Sequence, residues 1–178
     1  GGMTAAMLHL ASHGFFKALL FLGAGAVMHA CGGIIDIDRL GGLRRRMPVT
    51  TWTFIIGALS LSGFPLLSGF WSKDAVLNSA VEGGHWLTFA VGVITAALTA
   101  FYMFRVIFRV FFGSPRSSEA ENAHAAEPLL AVPLAILAVF AVVAGWVGSP
   151  LIGDPFARFV YFGEEAHHAF ESLGAILL

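Results

Sequence analysis

Three ionisable side chains recur at intervals of four residues in the first apolar stretch of the chain. His9, His13 and Lys17 would share one face of a helix and spread over about 12 Å of its length. Ionisable groups inside a bilayer are costly and usually face a bundle interior or water, and imidazole exchanges protons near neutral pH. The stripe indicates a proton relay. The alternative is a His9 near the membrane surface and a Lys17 that snorkels.

A second cluster interrupts a long apolar run at residues 62–74, with the sequence SGFPLLSGFWSKD. Its glycines and Pro65 predict a membrane helix broken at residues 63–69. Lys73 then lies near the start of the second half-helix, where the helix dipole disfavours a cation. Asp74 is the next residue, but adjacent helix positions do not face each other, which argues against a pair with Lys73. We expect Asp74 instead to support that half-helix as a first-turn acid. We interpret Lys73 as a proton-transfer site; the alternative is a proline kink with a structurally paired lysine.

Hydroxyl side chains mark one face of the predicted helix over residues 86–112. Thr95, Thr99 and Tyr102 lie on that face, and such hydroxyls can hold a chain of ordered water molecules. The alternative is local, because threonines in helices often bond the carbonyl four residues earlier and Tyr102 can simply pack.

Nothing in the sequence indicates a metal, redox or nucleotide site. Cys31 is the only cysteine, which excludes a disulfide and a cysteine-ligated iron–sulfur cluster. No glycine-rich phosphate loop is present. The other histidines have no evident third metal ligand and are interpreted as surface residues: His29, His85, His124, His167 and His168.

The composition is that of a multi-pass membrane protein. The 178 residues are 57% hydrophobic and 12% charged, whereas soluble domains carry about 25% charged residues. Several apolar runs of about 20 residues are each long enough to cross a bilayer. The net charge of −1, with basic residues at predicted helix ends, gives no support for nucleic-acid binding.

The apolar runs predict an all-α transmembrane helix bundle with four full spans and a truncated fifth, the second span being discontinuous. The predicted helices cover about 4–30, 50–80, 86–112 and 128–147. Residues 1–150 form the main domain, and residues 151–178 form a loop and the start of the fifth helix. The chain is therefore interpreted as a fragment of a longer protein.

Arginine distribution predicts the orientation of the bundle. The loops 31–49 and 113–127 fall on one side, because two spans separate them. That side carries Arg39, Arg44, Arg45, Arg46 and Arg116, with Arg105 and Arg109 within snorkelling reach. The opposite side has only Arg158. The arginine-rich loops are predicted to be cytoplasmic, at a bacterial inner membrane.

Four ordered motifs carry a resemblance to a known family. They are HLASHGFFKALLFLGAGAVMHA, DIDRLGGLRRRMP, TFIIGALSLSGFPLLSGFWSKDAVL and LTAFYMFRVIF. Together they resemble the NuoL-type antiporter-like membrane subunit of respiratory complex I, the proton-pumping NADH:quinone oxidoreductase. The resemblance covers about residues 1–150 and is weaker beyond.

The resemblance implies a proton-translocating chain without its own redox centre. His9 and His13 match the family's central histidines, Lys17 matches the lysine one turn later, and Lys73 matches the lysine of the broken helix that serves the exit half-channel. Asp74 matches the acid beside it. A lysine at position 73 favours the L-type subunit, since the related M-type subunit has glutamate there.

The resemblance also implies the setting of the chain. Flavin, iron–sulfur clusters and quinone would reside in partner subunits, and the partners would be other membrane subunits of complex I, especially the M-type one, together with lipid and ordered water. The family's first half-channel is absent from these residues, so the chain would hold only the later one. The alternatives are a subunit of a multisubunit cation/proton antiporter and a non-transporting membrane scaffold.

Overall fold

Helices connected by turns make up the described part of the chain. The computed structural model describes residues 2–160, and that range contains no β-strand. The α-helices are α1 (Gly2–Ala30), α2 (Pro48–Ser62), α3 (Ser68–Glu82), α4 (Trp86–Phe111), α5 (Ser118–Glu121), α6 (Pro128–Val143) and α7 (Pro155–Val160). Short 3₁₀ turns cover Leu43–Arg45, Ala144–Gly148 and Pro150–Ile152. The predicted all-α class is confirmed over these residues.

α1 lies at the centre of the bundle. It packs against α2, α3 and α6, and its Phe16 and Leu19 side chains are fully buried. α4 lies further out and packs against α2 and α3. Much of the apolar surface of α4 is exposed, as expected for a helix that faces lipid or another subunit.

Three segments are long and apolar enough to cross a membrane. They are Gly2–Ala30, Trp86–Phe111 and Pro128–Gly148, the last joining α6 to the 3₁₀ turn that follows it. The predicted second span consists of α2 and α3, two helices of 15 residues each. Neither half reaches the length of about 20 residues that a single span needs. The predicted fifth helix at 169–178 lies outside the described residues.

Non-helical backbone separates α2 from α3. Gly63 ends α2 in the left-handed conformation, with φ of +82°, which glycine adopts without steric cost. Leu66 also has a positive φ, of +69°, in a region that costs a side-chain-bearing residue about 1–2 kcal/mol. The chain therefore reverses its local twist twice before α3 begins at Ser68.

The two arginine-bearing loops meet at the same end of the bundle. The Gly42 amide donates to the Phe112 carbonyl over 3.1 Å, and Arg109 forms an ion pair with Asp38. Arg39 lies 3.5 Å from Glu119. The predicted grouping of these loops on one side of the helices therefore agrees with direct contacts between them.

Candidate functional site

Lys73 reaches back across the break to the end of the preceding helix. Its Nζ donates to the Leu61 carbonyl oxygen over 2.5 Å. That carbonyl belongs to the last turn of α2, where main-chain oxygens lack helical partners and the dipole favours a cation. The expectation that Lys73 would experience mainly the positive end of α3 was therefore incomplete, because the side chain places its charge at the negative end of α2.

Asp74 is not the first-turn acid that the sequence predicted. α3 begins at Ser68, its first turn contains no acidic residue, and Asp74 lies in the second turn. The Asp74 Oδ2 atom is buried and has no hydrogen-bond partner within residues 2–160. The electrostatic reason given for its support of α3 therefore does not apply at this position.

Ser60 joins the three segments that meet at the break. Its hydroxyl donates to the Ala141 carbonyl of α6 over 2.9 Å and accepts from the Gly69 amide over 3.1 Å. The approach is so close that a Cβ at Gly69 would lie 1.8 Å from the Ser60 carbonyl oxygen. Glycine is thus required here by space, and Ser60 fixes where α3 starts relative to α2.

Trp146 braces the other side of the break. Its indole Nε1 donates to the carbonyl of Leu66 over 2.9 Å, and its ring contacts Trp71 with a centroid separation of 5.6 Å. The bond satisfies a main-chain acceptor that the break leaves free. It also ties the strained Leu66 to the turn that follows α6.

The histidine stripe of α1 contacts α3 through His9. The His9 Nδ1 atom lies 3.0 Å from the hydroxyl of Ser72, the residue before Lys73. His13 follows along α1, with its ring centroid 5.9 Å from that of His9. Lys17 lies further along, with its Nζ 5.4 Å from the centre of the Phe21 ring. The structure therefore brings His9 into contact with the lysine-bearing helix, whereas the Lys17 ammonium lies beside a ring of its own helix.

Two cavities between α4 and the inner helices are lined by five of the predicted site residues. A cavity of about 200 Å³ is lined by His9, Lys73 and Thr95. Another, of about 190 Å³, is lined by Lys17 and Tyr102. Both have room for several water molecules, since one occupies about 30 Å³ of liquid.

The threonines of α4 use their hydroxyls locally. Thr95 donates to the Val91 carbonyl and Thr99 to the Thr95 carbonyl, each over 2.7 Å. This is the alternative arrangement considered from the sequence. Each hydroxyl oxygen can still accept a bond from water. Tyr102 is 46% exposed, so its ring is only partly packed.

The remaining histidines lie away from the break. His29 and His124 contact each other edge to face, with ring centroids 5.6 Å apart, and His85 precedes α4. His167 and His168 fall outside the described residues. Within residues 2–160, no group of three or more His, Cys, Asp or Glu side chains is arranged to hold a metal ion.

Ser72, Ser60 and Trp146 were not identified from the sequence as site residues. Ser72 and Ser60 are fully buried, and their partners are 63 and 81 residues away in the chain. Ser72 had one local signal, since it precedes Lys73 and lies one helical turn after Ser68. Nothing local marks Trp146 as a partner of the break.

The sequence that forms this helical bundle matches a known family of membrane proteins. Residues 1–99 match the family described as NADH:quinone oxidoreductase/Mrp antiporter, TM. The chain belongs to this family.

Within it, the curated relatives are subunits of NADH:quinone oxidoreductases. NADH-quinone oxidoreductase subunit L of Rhodobacter capsulatus is 40% identical over 94% of this chain and 25% of its own length. NAD(P)H-quinone oxidoreductase chain 5 of Picosynechococcus is 39% identical over 96% of this chain and 30% of its own length. The chain thus spans less than a third of these relatives.

Solved structures share the fold. A chain of the membrane-bound sulfane sulfur reductase, an archaeal respiratory membrane complex, is 31% identical, with a TM-score of 0.74 over 80% of this chain and 23% of its own. A chain of the Mrp complex from Dietzia is 25% identical, also with a TM-score of 0.74, over 87% of this chain and 37% of its own. The fold of this chain therefore recurs in two kinds of membrane complex.

Proposed function

We propose that this chain forms the later, exit-side half-channel of an L-type proton-translocating subunit of NADH:quinone oxidoreductase. The observation that carries the proposal is the placement of Lys73. Its ammonium lies on the Leu61 carbonyl at a helix break, and the side chain lines a cavity shared with His9 of a neighbouring helix. An ionisable group at such a break in a membrane helix marks an ion pathway by default.

The relay would run along α1 from Lys17 through His13 to His9, and then through water to Lys73. Ser72 supports this order by occupying the Nδ1 side of His9, so that the other ring nitrogen is left to exchange protons. Thr95 lines the same cavity, and Tyr102 lines the cavity next to Lys17. Asp74, whose Oδ2 atom is buried, follows Lys73 in the same half-helix and has a supporting role.

In this proposal the chain crosses the bilayer four times. α2 and α3 together form the discontinuous crossing. The arginine-rich loops 31–49 and 113–127 would face the cytoplasm of a bacterial cell, and the proton would leave on the opposite side. The subunit contributes no redox chemistry of its own. Flavin, iron–sulfur clusters and quinone would belong to other subunits, and an M-type subunit would adjoin this one in the membrane.

Lys73→Ala, made in the full-length subunit within the assembled complex, tests the proposal. We expect NADH-driven proton pumping in inverted vesicles to fall at least several-fold while the complex still assembles on native gels. Arg158→Ala on α7 is the control and should pump normally. Normal pumping by the Lys73→Ala complex would instead support a non-transporting scaffold.

A cation/proton antiporter subunit is the second candidate, favoured by the structural similarity to the Mrp complex. The two functions differ in their driving force. In vesicles, an antiporter dissipates an imposed pH gradient when sodium is added, without NADH. A sodium-dependent response of that kind, lost in the Lys73→Ala variant, would replace the oxidoreductase assignment.

A further inference from the structure

Two arginines at the loop end of the bundle have no counter-charge in the described structure. Arg45 and Arg46 are exposed, and neither guanidinium group makes an ion pair, hydrogen bond or ring contact within residues 2–160; the Arg46 main-chain amide donates to the Leu43 carbonyl. Their neighbours at this end are engaged: Arg39 pairs with Glu119, and Arg109 pairs with Asp38. Arg44 lies over the Phe112 ring at 5.2 Å. Glu119 and Asp38 therefore already have arginine partners.

The same turn leads directly into an exposed apolar surface. α2 begins at Pro48, and its first two turns present Val49 and Trp52 with 46% and 58% of their surface exposed. The two residues are three positions apart and so share one face of the helix. Tryptophan is enriched where a membrane helix meets the headgroup region. Trp52 therefore places Arg45 and Arg46, one to two turns earlier, at headgroup depth.

We propose that Arg45, Arg46 and Trp52 form a binding site for the phosphate headgroup of an anionic phospholipid. This inference concerns a lipid partner and goes beyond the proton pathway. Guanidinium groups attract the negative charge of a phosphodiester and can bind its oxygens in a forked geometry. Val49 and Trp52 would contact the upper acyl chains below the headgroup. A neutral zwitterionic lipid lacks the net charge that two unpaired arginines require.

Photo-crosslinking in nanodiscs tests the site. The assembled complex containing the full-length subunit is reconstituted with phosphatidylcholine and a trace of diazirine-labelled phosphatidylglycerol, and crosslinks are mapped by mass spectrometry. We expect crosslinks on the peptide around Trp52 that unlabelled phosphatidylglycerol displaces. The Arg45→Gln/Arg46→Gln variant should lower their yield roughly tenfold or more, and Arg158→Gln should leave it unchanged.

Four outcomes would overturn the proposal. They are equal labelling by a phosphatidylcholine probe, insensitivity to the double substitution, displacement by inorganic phosphate, and the absence of labelling because another polypeptide covers this face. The double variant replaces only exposed side chains, so the complex should still assemble. If it does not, Arg45→Lys/Arg46→Lys keeps the charge and should retain most of the labelling of the unsubstituted complex, and loss of most of that labelling would overturn the proposal.

Discussion

Removing the Ser60 hydroxyl should destabilise the junction at the helix break. Ser60→Ala leaves the Gly69 amide and the Ala141 carbonyl without their present partner, and both lie where a helix end supplies no replacement. An unsatisfied buried group costs about 1–3 kcal/mol. If the two contributions add, the substitution costs about 2–6 kcal/mol.

Ser79→Ala is the matched control. The Ser79 hydroxyl donates to the Ala75 carbonyl within α3 over 2.9 Å, and the main-chain amide of the same helix also serves that carbonyl. Removing the Ser79 hydroxyl should therefore change the stability of the subunit by no more than about 0.5 kcal/mol. Both variants are made in the full-length subunit and compared by the temperature at which the detergent-solubilised complex loses the subunit. Equal temperatures for Ser60→Ala and Ser79→Ala would refute the role of Ser60.

Other predictions concern single groups. Gly69→Ala should destabilise the subunit strongly because of the overlap with α2, whereas Gly14→Ala, which meets no atom within 4 Å, should be neutral or slightly stabilising in the same assay. Trp146→Phe removes a hydrogen bond to the break and should cost about 1 kcal/mol, while Trp86→Phe at an exposed position should cost less; equal effects would contradict the bracing role. Burial raises the pKa of the Cys31 thiol, and Glu119 adds to the shift. Native Cys31 should therefore resist maleimide at pH 8 and react fully in SDS, and its preference for the protonated form should make stability fall as pH rises above the usual thiol range; rapid native labelling would contradict this.

The sequence was sufficient to locate the break because glycine and proline act locally. Gly63 carries one of the two backbone reversals between Ser62 and Ser68, as glycine predicts, whereas the other lies at Leu66, which is itself neither glycine nor proline. The threonines of α4 likewise follow a local rule: each donates its hydroxyl to the carbonyl four residues earlier, as one of the two alternatives from the sequence stated.

The position of charges around the break depended on contacts that no local pattern specifies. The helix start at Ser68, which moves Asp74 into the second turn, follows from the close fit of Gly69 against Ser60. The direction of the Lys73 side chain depends on how far the chain turns between the two half-helices. The contact of His9 with Ser72 depends on the register of α1 against α3, which a single sequence does not encode in any short segment.

The Trp146 bond to Leu66 spans 80 residues of sequence, and the Ser60 bond to Ala141 spans 81. During synthesis, α2 and α3 leave the ribosome well before either partner does. Until then, the lysine-bearing break lies in the translocon or the bilayer with a main-chain carbonyl, that of Leu66, and a serine hydroxyl, that of Ser60, whose partners lie on the turn after α6 and on α6. Insertion factors that shelter α1–α4 during that interval would act on this element, and truncation before residue 141 would leave the break unfinished in an otherwise inserted protein.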